Sequence, residues 1–338
     1  MNISKLKECV FITLKANLTP FIQGSPGLGK SAIVREIAEE NKMKLIDVRL
    51  SQCDISDLNG LPKLDGKKAT FLPFDVFPVE GDKVPDGYQG WLLFLDELNS
   101  ANKAVQAAAY KLILDRMVGN HKLHDKVRVC AAGNLITDNA VVNQLSTALR
   151  SRLINFTVDS NNLLDDWFKW AYEHEIDARI LAFIKYKPNY LFTFDPEKDD
   201  ETYACPRTWE MTDKVIKLIK NLDNYRELIR GAIGTIGDEF VEYTKYANKL
   251  PKFEDIANGK VKPDPKLLED LGMKWMVTMH LLTKAKEIKT DLECDNVLNY
   301  LIGLGKEYGA IFASNCAKLD CKVFKFPSFY KKLKEMCI

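Results

Sequence analysis

Short apolar runs and longer amphipathic stretches alternate along the first half of the chain. Residues 20–22, 44–50, 91–95, 127–132 and 154–158 are β-prone runs, each too short for a buried helix. After the first run, Ile33 and Ile37 stand four apart among Arg35, Glu36, Glu39 and Glu40, the spacing of an amphipathic helix. This alternation predicts an α/β domain with a mostly parallel sheet over residues 1–159. Beyond Val158 the pattern turns helical. Leu163, Trp167 and Trp170 share one face, Ile180 and Ile184 another, and Val215, Leu218 and Ile219 a third, so residues 160–338 are expected to form a second, helical region. Two loop-like stretches interrupt it, acidic 195–201 and Pro/Lys-rich 248–265, both expected as solvated surface. Gly231, Gly234 and Gly237 do not match the dinucleotide-binding fingerprint and read as close helix packing.

Composition narrows the class. At 338 residues with 46% hydrophobic content, the chain has enough apolar material for two cores. Its formal net charge of +1 creates no global field to draw in nucleic acid or acidic membranes. The eight cysteines are scattered without a C-x-x-C pair, as expected for reduced thiols in the cytoplasm. The most apolar stretch, Trp91 to Leu95, falls far short of the about 20 residues that cross a bilayer. A soluble protein is therefore expected.

Chemistry enters at Gly24-Ser25-Pro26-Gly27-Leu28-Gly29-Lys30-Ser31, which fits the phosphate-binding pattern G-x-x-x-x-G-K-[ST] between a strand and a helix. The glycines let consecutive backbone N–H groups face an anion, Lys30 adds a point charge, and Ser31 offers a hydroxyl to Mg²⁺. A nucleoside triphosphate is the expected ligand, within the αβα sandwich of a P-loop NTPase. The strand Trp91 to Leu95 ends in Asp96-Glu97, where one carboxylate can serve the metal and the next can polarise water. Asp96 is assigned to metal and Glu97 to water.

Asn134, after the run 127–132, could position that water or touch the terminal phosphate; alone it reads as a turn residue after Gly133. Arg150 and Arg152 precede the last strand, and Arg207 follows Pro206 at a helix start. Arginine supplies the charge that phosphoryl transfer requires, although each taken singly reads as a surface residue. His121 and His124 have no further ligand at usable spacing and read as parts of a hairpin. Lysines at 318, 322, 325, 331, 332 and 334 interleave with Phe324, Phe326, Phe329 and Tyr330, either as the solvated face of a terminal helix or as a single-strand nucleic-acid surface.

In this order the motifs resemble those of AAA+ ATPases, and within them the MoxR-like branch related to dynein and midasin modules. The most telling part is Asp96-Glu97-Leu98-Asn99-Ser100-Ala101, then Val105-Gln106-Ala107-Ala108, then Asp115-Arg116-Met117-Val118. Gln52 to Gly60 resembles the lead into that branch's insertion, so residues 61–78 are expected to form a hairpin facing a ring pore. The resemblance implies a five-stranded sheet, a helical lid, and ATP with Mg²⁺ as the ligand. It also makes Asn134 sensor 1, Arg152 the finger acting on a neighbouring copy with Arg150 as second choice, and Arg207 sensor 2. Ser100 stands where many relatives have Arg. A hexameric ring of identical chains is implied, acting as a chaperone-like remodeller beside a partner with a von Willebrand factor A domain. A nucleic-acid motor or loader and a nucleotide-gated scaffold are the alternatives.

Overall fold

The structure is a computed structural model that describes residues 1, 3–138, 143–158, 163–198, 200–265, 269–318 and 321–336. It divides into two compact units, Met1–Leu163 with Asp195–Asp199, and Leu164–Phe194 with Asp200–Ile338.

The first unit runs α1 (Ile3–Lys15), β1 (Thr19–Gln23), α2 (Lys30–Glu40), β2 (Met43–Arg49), α3 (Ile55–Asn59), β3 (Leu61–Asp65), β4 (Lys68–Leu72), β5 (Gly90–Asp96), α4 (Lys103–Leu114), β6 (Met117–Val118), β7 (His121–Lys122), β8 (Val127–Gly133), α5 (Thr147–Arg150) and β9 (Leu153–Thr157). Five strands form one sheet in the order β2-β5-β8-β1-β9, and every pairing in it is parallel. All seven residues of β5 are buried, which explains its unbroken apolar sequence, since a central parallel strand is covered on both faces. Leu93, Leu95 and Val129 share one core cluster with Val105, Ala109 and Leu112 of α4. Burying each large side chain contributes about 1.5–3 kcal/mol. Parallel strands end together, so the turns after β1, β5 and β8 collect at one edge, where ligands of open α/β sheets bind.

The stretch expected to be a hairpin does form one, β3 and β4 pairing antiparallel from Leu61↔Leu72 to Asp65↔Lys68. It leaves Leu61, Leu64, Phe71 and Leu72 exposed. A second, short hairpin, β6–β7, braces it, because His121 Nε2 donates to the Phe71 carbonyl at 2.7 Å. His124 packs its ring edge-on against Trp91. The two histidines are thus hairpin and core-edge residues.

The second unit contains α6 (Leu163–Glu173), α7 (Ala178–Tyr186), α8 (Pro206–Ile216), α9 (Arg226–Ile233), α10 (Ile236–Thr244), α11 (Phe253–Ala257), α12 (Leu271–Thr283), α13 (Asp291–Leu304), α14 (Lys306–Lys318) and α15 (Pro327–Met336). Phe183 sits at an aromatic centre, with Tyr190, Trp209, Phe240 and Tyr243 rings 5.2–5.9 Å away. Three expectations need correction here. The shared face of Val215, Leu218 and Ile219 does not exist: α8 ends at Ile216, and Leu218 lies beyond it with 86% exposure. The Pro/Lys-rich stretch 248–265 is not all loop, because Phe253 and Ile256 bury themselves on the short helix α11. Of the three glycines, Gly237 does serve close packing, since a Cβ there would lie 2.9 Å from Arg230 Cα, but Gly234 makes a turn at φ 70° and Gly231 faces open space. Among the described residues, no helix is long and apolar enough to cross a membrane.

Candidate nucleotide-binding site

The loop from Gly24 to Ser31 leaves β1 and runs into α2. Gly27 and Gly29 adopt φ 83° and 79°, a left-handed backbone in which a side chain would be strained. Gly29 caps α2 without a side-chain hydrogen bond, leaving the first N–H groups of the helix to face a ligand. Gly24 is pressed against the chain leaving β9: a Cβ there would stand 3.2 Å from Val158 Cβ. Pro26 completes the turn and Leu28 is buried. Ser25 donates its hydroxyl to Asp138 at 3.1 Å.

Lys30, the first residue of α2, is buried, and its ammonium is gathered into the site. It donates to the carbonyls of Gly24 at 2.6 Å and Ser25 at 3.1 Å, and to Asn134 Oδ1 at 3.1 Å. Asn134 reaches it because β8 lies beside β1. Ser31 donates its hydroxyl to Asp96 Oδ2 at 2.9 Å, and Asp96 Oδ1 accepts from the Glu97 N–H at 2.8 Å. A hydroxyl beside a carboxylate is the hard-oxygen donor set that suits Mg²⁺. Burial first, and the charge of Asp96 second, raise the Asp47 carboxyl above its ordinary pKa, against the opposing pull of Arg49 and Arg35.

Glu97 has φ 56°, a left-handed conformation that costs a non-glycine residue about 1 kcal/mol or more. Its carboxylate accepts a hydrogen bond from the Ser51 hydroxyl, just past β2. The turn that strains Glu97 also carries Asn99, whose carboxamide clamps the backbone of Asn134 from both sides. Asn99 Oδ1 accepts from Asn134 N at 3.1 Å, and its Nδ2 donates to Asn134 O at 2.7 Å. Gly133 is required there, because a Cβ would stand 2.3 Å from Asn99 Oδ1.

The structure therefore brings Lys30, Ser31, Asp96, Glu97 and Asn134 to one edge of the sheet. It does not bring Arg152 among them. That exposed side chain donates from Nη1 to the Ala148 carbonyl at 3.0 Å and to Ser151 Oγ at 2.8 Å, with its guanidinium 5.5 Å from the Tyr110 ring. Arg150 ends α5, also exposed, and Arg207 stands exposed as the second residue of α8, in the other unit. Three further residues belong to the site: Ser51, Asn99 and Asp138. Asn99 lies inside the quoted acidic motif, yet its partner is 35 positions away, and only the pairing of strands reveals the contact.

With this geometry in view, residues 21–158 match the family model described as "ATPase family associated with various cellular activities (AAA)". Residues 21–158 are thus similar to an AAA domain. The chain is also similar to midasin of Giardia intestinalis, 29% identical over 174 residues that cover 48% of this chain and 3% of midasin. It thus spans a small fraction of that relative's length. Among solved structures, a RuvB mutant of Thermotoga maritima aligns over 96% of this chain and 83% of its own, at 14% identity and TM-score 0.37. NtrX of Brucella abortus aligns over 99% and 68%, at 14% identity and TM-score 0.39. The matched stretch includes every residue of the P-loop edge from Gly24 to Asn134, whereas α8 and Arg207 lie outside it.

Proposed function

We propose that this chain is an ATP-hydrolysing AAA+ ATPase of the MoxR-like kind, working as a ring of identical copies, six by resemblance, that remodels a protein client in the cytoplasm. The observation that carries the reading is the hydrogen-bonded group of Lys30, Ser31, Asp96 and Asn134 beside Glu97 at the carboxyl edge of a parallel sheet. The left-handed glycines and the Ser31–Asp96 oxygen pair fit ATP with Mg²⁺. When bound, that pair supplies the phosphoanhydride and the cation that neutralises its charge.

The chain's own residues do the rest. The N–H groups of 27–31 and the Lys30 ammonium hold the phosphates. Ser31 and Asp96 hold the metal. Glu97 orients a water and accepts its proton, and Asn134, fixed by Asn99, sets the direction of approach. Arg152 is exposed and turned onto α5, which supports a role toward a neighbouring copy, where its charge would meet the phosphoryl group in transfer. Arg207 acts as the sensor of the helical unit. The partner with a von Willebrand factor A domain belongs to this reading, and the exposed apolar hairpin β3–β4 is its client-facing element.

Glu97→Gln tests it: the variant is expected to bind ATP, assemble and trap client and partner, while releasing almost no phosphate. Phosphate release at the parental rate overturns the assignment. A nucleic-acid motor is the second reading, favoured by exposed Lys322, Lys325, Lys331 and Lys334 beside Tyr330 at 54% exposure. ATPase stimulation by single-stranded DNA, with salt-sensitive binding, would select it.

A further inference from the structure

Within the helical unit, the start of α7, the end of α12 and the chain between α10 and α11 line a cavity of about 660 Å³, a volume in the range of small-molecule sites. Its walls are of two kinds. Tyr172, Ile176, Leu181, Leu250 and Leu282 supply apolar surface, and the Tyr172 hydroxyl is already engaged, donating to Met279 Sδ at 3.3 Å. Arg179, Lys252, His280 and Lys286 supply hydrogen-bond donors.

Arg179 is held in place. Its Nε and Nη2 donate to the two oxygens of Asp177 at 2.9 and 2.8 Å, and Asp177 donates its own N–H to buried Asp213 at 2.8 Å. Nη1 takes no part in that fork; it has no partner among the described residues and is not sealed from solvent. The half-buried His280 ring likewise has no hydrogen-bond partner among the described residues. Burial first, and the charge of Lys284 second, hold its pKa below the ordinary value against the pull of Glu254, Glu287 and Asp177, so at neutral pH it is an uncharged ring with one N–H to give. Lys252 and Lys286 are exposed and form no ion pair among the described residues. Arg179, Lys252 and Lys286 against Glu175 and Asp177 leave the lining one positive charge in excess.

Unpartnered donors beside an apolar wall call for a ligand with both characters. We propose that this cavity binds a small organic acid, its aliphatic or aromatic body against Leu181 and Leu282 and its carboxylate held by Arg179, His280 and the rim lysines. A purely apolar molecule would leave the donors unpaired, and a bare phosphate would leave the apolar wall wet while its second charge met Glu175 and Asp177. A single carboxylate matches the single excess charge. The cavity lies wholly in the helical unit, shares no residue with the P-loop edge, and is tested without turnover.

The experiment is calorimetric titration of the full chain with octanoate, and with octan-1-ol as its uncharged counterpart. Octanoate is expected to fill one saturable site with a Kd below about 1 mM, and octan-1-ol to bind at least about tenfold more weakly, the worth of a charge-assisted hydrogen bond. Lys252→Glu combined with Lys286→Glu changes only exposed side chains; it should weaken octanoate about tenfold and leave octan-1-ol unchanged. Thr283→Trp, at the exposed end of α12 on the cavity wall, should abolish binding of both. Absence of saturable octanoate binding, equal affinity for the two ligands, or octanoate binding unchanged in either variant overturns the proposal. Should Thr283→Trp fail to fold, Ala247→Phe takes its place: it narrows the same cavity from the chain after α10, and full-strength octanoate binding to it overturns the site equally.

Discussion

At the carboxyl end of the sheet, Lys30, Ser31, Asp96, Asn99 and Asn134 engage one another and the loop backbone through hydrogen bonds of 2.6–3.1 Å. At the amino end, Arg116 keeps a buried nitrogen without a partner beside a second arginine. Each end also contains a left-handed non-glycine residue, Glu97 and Arg116. The difference lies in what surrounds the strain. Around Glu97, the Ser51 hydroxyl holds the carboxylate and the neighbouring Asp96 holds the backbone N–H, so the strained residue is fixed in one geometry. Around Arg116 the guanidinium is only partly engaged: Nη2 donates to the Asn17 carbonyl, and Nη1 is left without a partner. A fully partnered group is preorganised, whereas a partly partnered one carries an uncompensated cost.

The sharpest way to break this comparison is Glu97→Gln, which should lower ATP turnover about 10²–10⁴-fold with nucleotide affinity retained. Paired measurements of phosphate release and nucleotide binding decide it, and parallel losses in both would mean that Glu97 only holds the loop. Next comes Asn99→Ala, which strips the Asn134 backbone of both its partners. It should cost about 1–3 kcal/mol, read from the denaturant midpoint, and an unshifted midpoint would show that the clamp does not hold Asn134. Glu97→Gly should act oppositely on stability, gaining about 1 kcal/mol by relieving the left-handed backbone while turnover collapses. If its melting temperature falls instead, the strain described at Glu97 is not real. The smallest effect is expected from Ser51→Ala, a loss of about 2–5-fold in turnover from one hydrogen bond. A loss as deep as that of Glu97→Gln would promote Ser51 from an orienting role to an essential one.

Much of the first unit was legible because period and chemistry agreed there. The P-loop, Asp96 and Glu97 are contiguous motifs, and the strands that carry them are uninterrupted apolar runs. The contacts of Asn99, Asp138 and Ser51 were not legible, since each joins positions 35 to 113 residues apart and depends on strand order. The unpartnered Nη1 of Arg116 is hidden for a related reason: its sequence neighbours form part of a recognisable motif, but its strain is a property of backbone and burial. In the helical unit, Leu218 was misread because its spacing continued a helical face after the helix had ended. Phe253 and Ile256 were hidden by the prolines and lysines around them.

Gly133 and Asn99 occupy one shared volume: the space that a methyl group would need at the first is filled by the carboxamide of the second. Neither position can therefore drift alone. A side chain gained at 133 displaces the group that fixes Asn134, while a shorter residue at 99 frees the space but releases Asn134. For descendants of this sequence the two positions behave as one inherited letter, and a lineage could rewrite it only by crossing an intermediate with a loosened site.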